Sequence, residues 1–399
     1  MFSPRNSNGD EEARAPRATS ALGLPDEYLC GLVGLAYAHL NVFVRTLKTS
    51  EISFSVVASI VSWNHAHCVE GAIRSLLEQT CPPKEVVVYD NASTDQTRRI
   101  LGKFGQRIRV IQSPENRGFC GGHNAVIDAT ESDSVLLVNP DVVLSKDYIE
   151  NAVLRMRGDP GIGTLCGLLL QQDRTAEGCL IDGAGLNMSR SRHPILRYNG
   201  ACFGGKAPPT EETFGADGAL PLYRRRMIDD IQIDGYFFDP MFFAHKEDHD
   251  ISWRARIYGW KSVFEPACVA IHPRHFKPGN LKLRQELAPE IKYHAVKNDL
   301  LLLLKNEDFS NFVRDSVPIL ARQIAIFCYV LLLEPSSLKA YWFVLSHLRA
   351  ILRNRRKIKQ NRKASPSEVR SKFLLDWAPQ EFKNAGLEPL MMQSELSKS

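Results

Sequence analysis

The chain has 399 residues, of which 44% are hydrophobic and 24% are charged. This composition is typical of a globular protein with one large or two ordinary domains, and it excludes global disorder, a collagen and a disulfide-stabilised miniprotein. The formal net charge of +5 is too small to predict nucleic acid as a partner. The nine cysteines are an odd number without a Cys-x-x-Cys pair, which predicts a reducing cytoplasm rather than a disulfide framework or a zinc site of that type.

The first fifty residues contain two segments of different composition. Residues 1–25 are polar and rich in Arg, Glu, Ser and Pro, which predicts a disordered tail. Residues 26–50 are apolar enough for a short accessory helix, which can pack on the core or on a membrane surface. The chain starts with charged residues rather than with a basic segment followed by an apolar one, so no secretory signal is predicted.

From residue 51 onwards, short β-branched runs alternate with longer helical stretches. This alternation predicts an α/β domain with a mainly parallel sheet over residues 51–280. Ligands bind at the carboxyl ends of the strands in such sheets, so the loops after the strands are the candidate sites. The predicted strands are 53–61, 85–89, 108–111 and 135–138, and the predicted helices between them are 68–79, 94–104 and 122–130.

Polar side chains follow the first two predicted strands. Ser62 and Asn64 come after the first strand, and the segment from Asp90 to Asp95 comes after the second. A carboxylate at Asp90 can accept a hydrogen bond from a ribose hydroxyl or a base N–H, whereas Ser93 and Asp95 suit helix capping. We favour a ligand role for Asp90, because capping needs no acid three residues before the cap.

The third loop is rich in glycine and leads into a helix. Gly118, Gly121 and Gly122 would let the backbone approach a diphosphate, and the helix start offers free N–H groups to an anion. A glycine-rich turn without a ligand is the alternative. The spacing is not Gly-x-Gly-x-x-Gly, which disfavours a nicotinamide-dependent oxidoreductase.

The fourth strand runs directly into Asn139-Pro140-Asp141. A carboxylate at the carboxyl edge of a sheet is a common ligand of Mg²⁺ or Mn²⁺. The same tripeptide is also good turn chemistry, which is the alternative.

Acidic residues also open a helix predicted from about Lys246 to Tyr258. Glu247 and Asp248 lie at its start, where the helix dipole stabilises acids. Such a position, surrounded by Phe, Trp and Gly, also suits a general base. Trp253 and Trp260 can belong to an acceptor platform, and a place in the core is the alternative for at least one of these aromatic residues.

The region from 281 to 399 is predicted to be helical and basic. Seven of the eleven residues in 353–363 are Lys or Arg, and they follow an apolar stretch. This pattern predicts attachment to an anionic membrane surface, with a solvated basic face or a protein partner as the alternative. The longest apolar run contains Arg322 and Gln323, so the region is predicted to lie on a membrane without spanning it.

Six segments, in their order and spacing, resemble the family 2 glycosyltransferases, specifically the rhamnosyltransferase-like branch. The resemblance covers roughly residues 52–305, and the basic tail resembles those of bacterial members that build surface polysaccharide. The segments are Ser62-Trp-Asn, Asp90-Asn-Ala-Ser-Thr-Asp, Glu115-Asn-Arg-Gly-Phe, Gly121-Gly-His-Asn, Asn139-Pro-Asp, and Glu247-Asp-His-Asp-Ile-Ser-Trp-Arg with Gly259-Trp.

The resemblance implies a GT-A fold, a nucleotide-diphospho-sugar transferase domain that inverts the anomeric centre and uses Mg²⁺ or Mn²⁺. It implies that Asp90 contacts the nucleoside, Asp141 holds the metal, Asp248 is the catalytic base and His272 adds a metal ligand. Many members have an acid where this chain has Asn139, which leaves one carboxylate in that motif for the metal. The other positions that the resemblance assigns to substrate binding are Ser62, Asn64, Asn91, Asp95, Asn116, Gly118, Gly122, Asn124, Asn139, Glu247, Trp253 and Trp260.

The implied partners are a nucleotide-sugar donor and a glycan or lipid-linked acceptor in cell-surface polysaccharide synthesis, with rhamnose as one candidate sugar. The expected location is cytoplasmic, on the inner face of the cell membrane. A rival of another class is a catalytically silent, membrane-associated scaffold with the same fold. The acids at 90, 141 and 248 favour the enzyme over this rival.

Overall fold

The computed structural model describes residues 54–175, 178–203, 207–273 and 281–374. These residues belong to one compact unit that begins at Phe54. The segments 1–25 and 26–50, for which a tail and an accessory helix are predicted, lie outside the described residues. The predicted boundary between residues 280 and 281 falls inside the compact unit and stays a prediction.

Strands dominate the first two thirds of the described chain, because these segments are rich in Val, Ile and Leu. β1, for example, reads Val-Val-Ala-Ser-Ile-Val-Ser and is almost wholly buried. The strands are β1 Val56–Ser62, β2 Glu85–Asp90, β3 Arg109–Gln112, β4 Ser134–Val138, β5 Val143–Leu144, β6 Ile162–Thr175, β7 Gly178–Gly183, β8 Leu186–Met188, β9 Pro194–Leu196, β10 Cys202–Phe203, β11 Glu211–Thr213, β12 Leu222–Arg224 and β13 Lys261–Ile271.

The central sheet has the order β10-β7-β6-β12-β4-β1-β2-β3. β1 pairs in parallel with β2 and β4, and β2 pairs in parallel with β3. Beyond β4 the sheet is mixed, because the short β12 runs antiparallel to both β4 and β6. The prediction of a parallel α/β sheet is therefore confirmed for the half that carries the first four loops. In this half, all strands point their carboxyl ends to the same edge.

Helices cover both faces of the sheet and form the C-terminal region. The helices are α1 Val69–Leu77, α2 Thr97–Gly102, α3 Gly118–Asp128, α4 Tyr148–Gly158, α5 Arg225–Ile231, α6 Glu247–Ile257, α7 Leu281–Glu286, α8 Pro289–Asn306, α9 Phe309–Arg314, α10 Ser316–Leu333, α11 Lys339–Ser346, α12 Leu348–Gln360 and α13 Pro366–Ser371. The predicted helical C-terminal region is confirmed for residues 281–374.

The C-terminal helices share a core with the sheet domain. Leu301 of α8, Ile351 and Ile358 of α12 and Phe373 belong to the same buried cluster as Trp253 of α6. This cluster packs on the opposite face of the sheet from the one that contains α1 and α4. Burial of these side chains against the domain stabilises the C-terminal helices in place.

Three predicted elements begin three or four residues from their expected starts, and one of them is the helix predicted from residue 94, which begins at Thr97. The first strand starts at Val56 and ends at Ser62, so Ser62 is its last residue rather than the first residue of the loop. The helix predicted from residue 122 begins at Gly118. Glycine has a low helix propensity, which moved the prediction towards the C-terminus, but packing overrides this preference here.

Among the described residues, α10 is the one helix that is long and apolar enough to cross a membrane, with a mean hydropathy of 1.9 over its 18 residues. Only 11% of this helix is buried. The sequence predicts that Arg322 and Gln323 keep this run short of a spanning segment, whereas the length and composition of α10 are sufficient for one.

Candidate active site

The loops after β1 and β2 are joined into one structure at the edge of the sheet. Ser62 and Asp90 lie opposite each other in the register of the two strands. Asn64 has a positive φ of 59°, and its Oδ1 accepts a hydrogen bond from the N–H of Thr94 at 2.8 Å. The N–H of Asn64 in turn donates to Ser93 Oγ at 3.0 Å. These bonds hold the two polar loops in a fixed relation.

Asp90 is fully buried beneath these loops. Its Oδ2 accepts from Nε of Arg98 at 2.6 Å, and its Oδ1 accepts from the N–H of Ser93 at 3.2 Å. The Arg98 side chain is 49% exposed and can swing away, whereas the carboxylate is fixed by its strand. A nucleoside that contacts Asp90 therefore has to displace or share Arg98.

The capping roles considered for Ser93 and Asp95 differ in the structure. α2 begins at Thr97 after Gln96, whose side chain makes no capping bond. Asp95 Oδ1 accepts from the N–H of Thr97 at 2.9 Å, and Oδ2 accepts from the N–H of Ala66 at 3.1 Å. Asp95 thus stabilises the helix start, while Ser93 binds Asn64 and does not cap α2.

Asn91 ties the third loop to the second. Its Nδ2 donates to Oδ1 of Asn116 at 2.8 Å and to the carbonyl of Gly118 at 3.1 Å. Its Oδ1 accepts from the N–H of Arg117 at 2.7 Å. Since both the amide nitrogen and the amide oxygen of Asn91 are hydrogen-bonded, Asn91 shapes the loop in this structure. Asn116 Oδ1 also contributes, because it accepts from Asn91 and from the N–H of Gly118.

The glycines of the third loop permit close packing of protein against protein. Gly118 has a positive φ of 69°, and a Cβ there would lie 2.5 Å from the carbonyl oxygen of Phe243. A Cβ at Gly122 would lie 2.7 Å from Cγ2 of Val61. The N–H of Cys120 donates to Phe243 O at 3.0 Å. These contacts account for the glycines without a ligand, and the expected approach of the loop backbone to a diphosphate stays a prediction.

Three further predicted binding residues are engaged with the protein. The amide of Asn124 donates to and accepts from the backbone of Phe238 at 2.7 and 2.9 Å. Trp253 is buried and packs edge-on against Phe373, so it belongs to the core rather than to an open acceptor platform. Nε1 of Trp260 donates to Asp230 at 2.7 Å.

Asp141 and His272 meet at the sheet edge, although 131 positions of sequence separate them. Nε2 of His272 lies 3.6 Å from Oδ1 of Asp141, and Nδ1 of His272 lies 2.8 Å from Oδ2 of the buried Asp182. Asp182 belongs to β7. A carboxylate behind a histidine fixes the orientation of the ring and makes its other nitrogen a better ligand.

The donor set at this edge fits a divalent cation. One carboxylate and one oriented imidazole at 3.6 Å can bind the same ion, since ligands of one metal lie about 3 Å apart when each is about 2.1 Å from it. In the described ranges, no group of three or more His, Cys, Asp or Glu side chains is arranged to hold a metal. An ion here would take its remaining ligands from water and from a bound substrate, as Mg²⁺ usually does.

Asp248 lies near the start of α6 and faces the segment 217–219. Its Oδ2 accepts from the N–H of Gly218 at 3.2 Å, and its Oδ1 accepts from Nδ1 of His249 at 2.7 Å. Burial by itself raises the pKa of Asp248, but the charge and hydrogen bonds of His249 and the N–H of Gly218 outweigh burial, so the pKa lies below its ordinary value. Asp248 is therefore ionised at neutral pH.

Glu247 has the opposite character. Burial and then the charge of Asp248 raise its pKa well above the ordinary value. Its Oε2 is buried and has no hydrogen-bond partner among the described residues, and neither has Nε2 of His249. Adjacent carboxyls whose pKa values are driven apart are typical of acid–base sites.

The segment 217–219 brings the loop of Asp141 and Asp248 together. The carbonyl of Ala219 accepts from the N–H of Asn139 at 2.8 Å, while the neighbouring Gly218 binds Asp248. The loops after β1 and β2, the Asp141–His272 pair and the Glu247–Asp248 pair are thus three parts of the same sheet edge and its bordering loops.

Sequence reasoning missed four residues of this arrangement: Arg98, Asp182, Gly218 and His249. His249 stands next to Asp248 in the sequence, and that adjacency was an available signal. Asp182 stands in an ordinary strand, so only its contact with His272 distinguishes it.

A cavity of about 540 Å³ lies elsewhere, against α4, β11 and β13. Its lining includes Arg155 and Glu265, which already form an ion pair with each other at 2.6 Å. None of the predicted site residues lines this cavity.

Residues 58–232, which include the first three motif loops and Asp141, match the model of the family described as Glycosyl transferase family 2. Over these residues the chain is similar to members of this family. The predicted resemblance is therefore confirmed at the level of the family, and rhamnosyltransferases are among its relatives.

Two curated bacterial relatives illustrate the range of similarity. An N-acetylglucosaminyl-diphospho-decaprenol L-rhamnosyltransferase of Mycobacterium tuberculosis is 26% identical over 241 residues, which cover 55% of this chain and 76% of that protein. A teichuronic acid biosynthesis glycosyltransferase, TuaG of Bacillus subtilis, is 32% identical over 92 residues, which cover 22% of this chain. The chain spans only about a third of TuaG, 36% of its length.

A solved structure confirms the predicted GT-A fold. The crystal structure of GalNAc-T7 with UDP, GalNAc and Mn²⁺ has a TM-score of 0.50 at 13% sequence identity, with 64% of this chain and 48% of that chain covered. At this identity the likeness concerns the fold alone.

Proposed function

We propose that the protein is an inverting glycosyltransferase that moves a sugar from a nucleotide-diphospho-sugar to a lipid-linked or glycan acceptor in cell-surface polysaccharide synthesis. The observation that carries the proposal is the segment 217–219, which binds the Asn139 loop on one side and Asp248 on the other. A carboxylate for the donor and a base for the acceptor are thereby held at one edge. Rhamnose is the candidate sugar because two relatives are named rhamnosyltransferases.

In this proposal Asp248 accepts the proton of the acceptor hydroxyl as that oxygen attacks the anomeric carbon. The N–H of Gly218 and Nδ1 of His249 hold the carboxylate in place, so little orientation entropy is lost in the reaction. Glu247, which keeps its proton, can donate a hydrogen bond to a sugar hydroxyl from its unpaired end. One base and one displacement invert the centre.

On the donor side, Asp90 would receive the nucleoside after Arg98 moves aside. Asp141 and His272 would hold Mg²⁺ or Mn²⁺, with His272 oriented by Asp182. When bound, such a cation neutralises the charge that develops on the leaving diphosphate. The Mn²⁺ named with GalNAc-T7 is consistent with this assignment.

The proposed location is the cytoplasmic side of a membrane, where a lipid-linked acceptor would be found. One relative is named for a substrate on decaprenol, a lipid carrier. A nucleotide-sugar donor comes from the cytoplasmic side in this proposal.

The test is a panel of nucleotide-sugars incubated with the full chain, a polyprenyl-diphospho-sugar acceptor, and Mg²⁺ or Mn²⁺. We expect one donor to be consumed with formation of a glycosylated lipid of inverted configuration. Asp141→Ala should weaken donor binding measured with metal and change it little in chelator. Absence of transfer from every donor, with donor binding retained, would favour the silent scaffold.

A further inference from the structure

The helix α10 presents a stripe of apolar side chains to solvent. We define the apolar face as Val317, Leu320, Ile324, Phe327, Leu331 and Leu332. The first five are spaced three or four residues apart, which places them on one side of the helix, and Leu332 borders them. Val317 is 78% and Leu332 is 76% exposed. Every exposed side chain of α10 is apolar. A continuous apolar surface of this kind marks an interaction site.

The opposite side of α10 is fixed to the protein. In its middle, both guanidinium nitrogens of Arg322 donate to Asp299 of α8 at 2.7 and 2.8 Å. Just beyond its C-terminal end, Glu334 binds Arg284 through two hydrogen bonds. These pairs hold the helix along the protein surface over its length of about 27 Å.

The same contacts decide between lying on a membrane and crossing it. A spanning α10 would have to break the Arg322–Asp299 pair and carry Arg322 into hydrocarbon, which is costly. Insertion of the apolar face alone leaves both pairs intact. The geometry therefore favours a helix that lies in the plane of the membrane interface.

The charges around the apolar face identify the kind of surface that it meets. Residues 309–360 contain nine Lys and Arg but only two acids, Asp315 and Glu334. Both acids are buried in ion pairs, with Arg370 and Arg284. The exposed charges of this stretch are thus all basic, which complements anionic lipid.

The two helices that follow α10 carry side chains of the same kind, and Tyr341 of α11 packs against Phe327 of α10 with ring centroids 5.3 Å apart. Trp342 of α11 is 72% exposed, and tryptophan is enriched where membranes meet water. Exposed arginines follow on α12, among them Arg349 and Arg356. Apolar stripe, tryptophan and arginine together are typical of interfacial helices.

The basic run 353–363 contributes less to such a surface than its sequence predicts. Lys357 pairs with Asp234, Arg362 with Asp308 and Lys363 with Asp230. These cations stabilise the contact of α12 and the following residues with the rest of the chain, and they are partly neutralised there.

We propose that the apolar face of α10, with Trp342 and the exposed arginines, docks this protein on an anionic bilayer by insertion at the interface. The proposal deepens the proposed function, on which it rests, because it names the surface that brings the enzyme to a lipid-linked acceptor. Binding is driven mainly by apolar burial, and lipid charge adds to it.

The test is co-sedimentation of the full chain with vesicles of phosphatidylethanolamine and phosphatidylglycerol, or of phosphatidylcholine, at low and high salt. Ile324→Glu/Leu331→Glu should lower the partition coefficient at least about tenfold at both salt concentrations, since two inserted side chains are lost. The matched control is Val110→Glu/Leu154→Glu, which alters two exposed apolar residues on β3 and α4 and should bind like the wild type.

A second variant separates charge from apolar insertion. Arg349→Gln/Arg356→Gln should weaken binding to anionic vesicles at low salt and change it little at high salt. Wild-type binding by the Ile324→Glu/Leu331→Glu variant would overturn the proposal. So would a failure of the wild type to bind any vesicle.

Sedimentation velocity without lipid tests whether a second copy of the chain covers the apolar face. A wild-type dimer that the Ile324→Glu/Leu331→Glu variant cannot form would assign the face to a second copy and overturn the proposal. The rate of sugar transfer to a water-soluble acceptor measures the proposed function independently of membrane binding. That activity should be equal in the variant and the wild type, so its complete absence would count against the function and leave the vesicle result standing.

Discussion

At the scale of single residues, the two carboxyls at the start of α6 differ in protonation because their surroundings differ. Asp248 is held by Gly218 and His249 and stays ionised, while Glu247 is buried beside that charge and stays protonated. In the sequence they are two neighbouring acids at a helix start, and nothing there predicts that their pKa values shift in opposite directions.

This difference predicts unequal effects of two similar substitutions. Asp248→Asn should lower kcat at least about a hundredfold, since the proton acceptor is lost, and leave donor binding nearly unchanged. Glu247→Gln should lower kcat by less than about tenfold, because the amide keeps a neutral donor. Steady-state kinetics and donor titration measure both. Near-normal turnover in Asp248→Asn would exclude it as the base.

Asp182 is the residue whose role depends most on a distant partner. Asp182→Asn keeps an acceptor for Nδ1 of His272 but removes the charge behind the ring. We expect Mn²⁺ affinity, measured by electron paramagnetic resonance titration, to fall about tenfold or more. Donor binding in chelator should be unchanged.

The control for this prediction is Asp159→Asn, which breaks an exposed ion pair with Lys261 and should keep wild-type Mn²⁺ affinity. If Asp182→Asn lowers the melting temperature but leaves Mn²⁺ affinity unchanged, Asp182 supports the fold rather than the metal site.

At the scale of elements, α3 shows how close packing sets the start of a helix. Gly118 and Gly122 let the helix approach Phe243 and Val61 more closely than any other residue would allow. A side chain at Gly118 would also be strained by its positive φ of 69°. The glycines thus fix the position of the third loop relative to β1 and to the residues before α6.

Gly118→Ala should lower the free energy of unfolding by more than about 2 kcal/mol, from backbone strain and overlap with the Phe243 carbonyl. Gly102→Ala is the matched control, because a Cβ there meets nothing within 4 Å, and it should be neutral or slightly stabilising. Urea unfolding measures both variants. Equal stability of the two would show that the third loop adapts without cost.

At the scale of the whole molecule, buried ion pairs join the C-terminal helices to the sheet domain. Lys305 of α8 lies 2.7 Å from Asp239 and 3.2 Å from Asp250 of α6. Arg192 binds Asp315 before α10 at 3.0 Å. Removing one member of such a buried pair leaves an unpaired charge in the interior, so these contacts make the two regions depend on each other.

The pH dependence of stability follows from buried histidines. Burial lowers the pKa of His123 to about 3, below its unfolded value of about 6.5. Between these values the unfolded chain binds the extra proton, so the free energy of unfolding falls as pH falls, by up to about 1.4 kcal/mol per pH unit from this group. Burial also lowers the pKa of the half-buried His294, to about 4, which acts in the same direction.

The double variant Ser59→Ala/His123→Leu removes the ring and the hydroxyl that binds it at 2.8 Å. Urea titrations at several pH values should show that its free energy of unfolding depends less steeply on pH between 6 and 4. The reduction in slope should correspond to at most one bound proton. Identical slopes for variant and wild type would mean that His123 is protonated in the folded state.

The sequence by itself determined the class of the fold and the order of the polar loops, because both depend on local patterns. Apolar and β-branched runs such as β1 and β4 favour buried strands, and a carboxylate within three residues of the end of such a strand, as Asp141 is, lies near its carboxyl edge.

Only the tertiary structure decided what several of these residues contact. Trp253 is in the core, the glycines of α3 face Phe243 and Val61, and the basic run 353–363 binds acids of the same chain. Asp182 and His272 meet across 90 positions. The physical reason is that burial, pKa shifts and ion pairing are set by neighbours in space, and these neighbours come from elements far apart in the sequence.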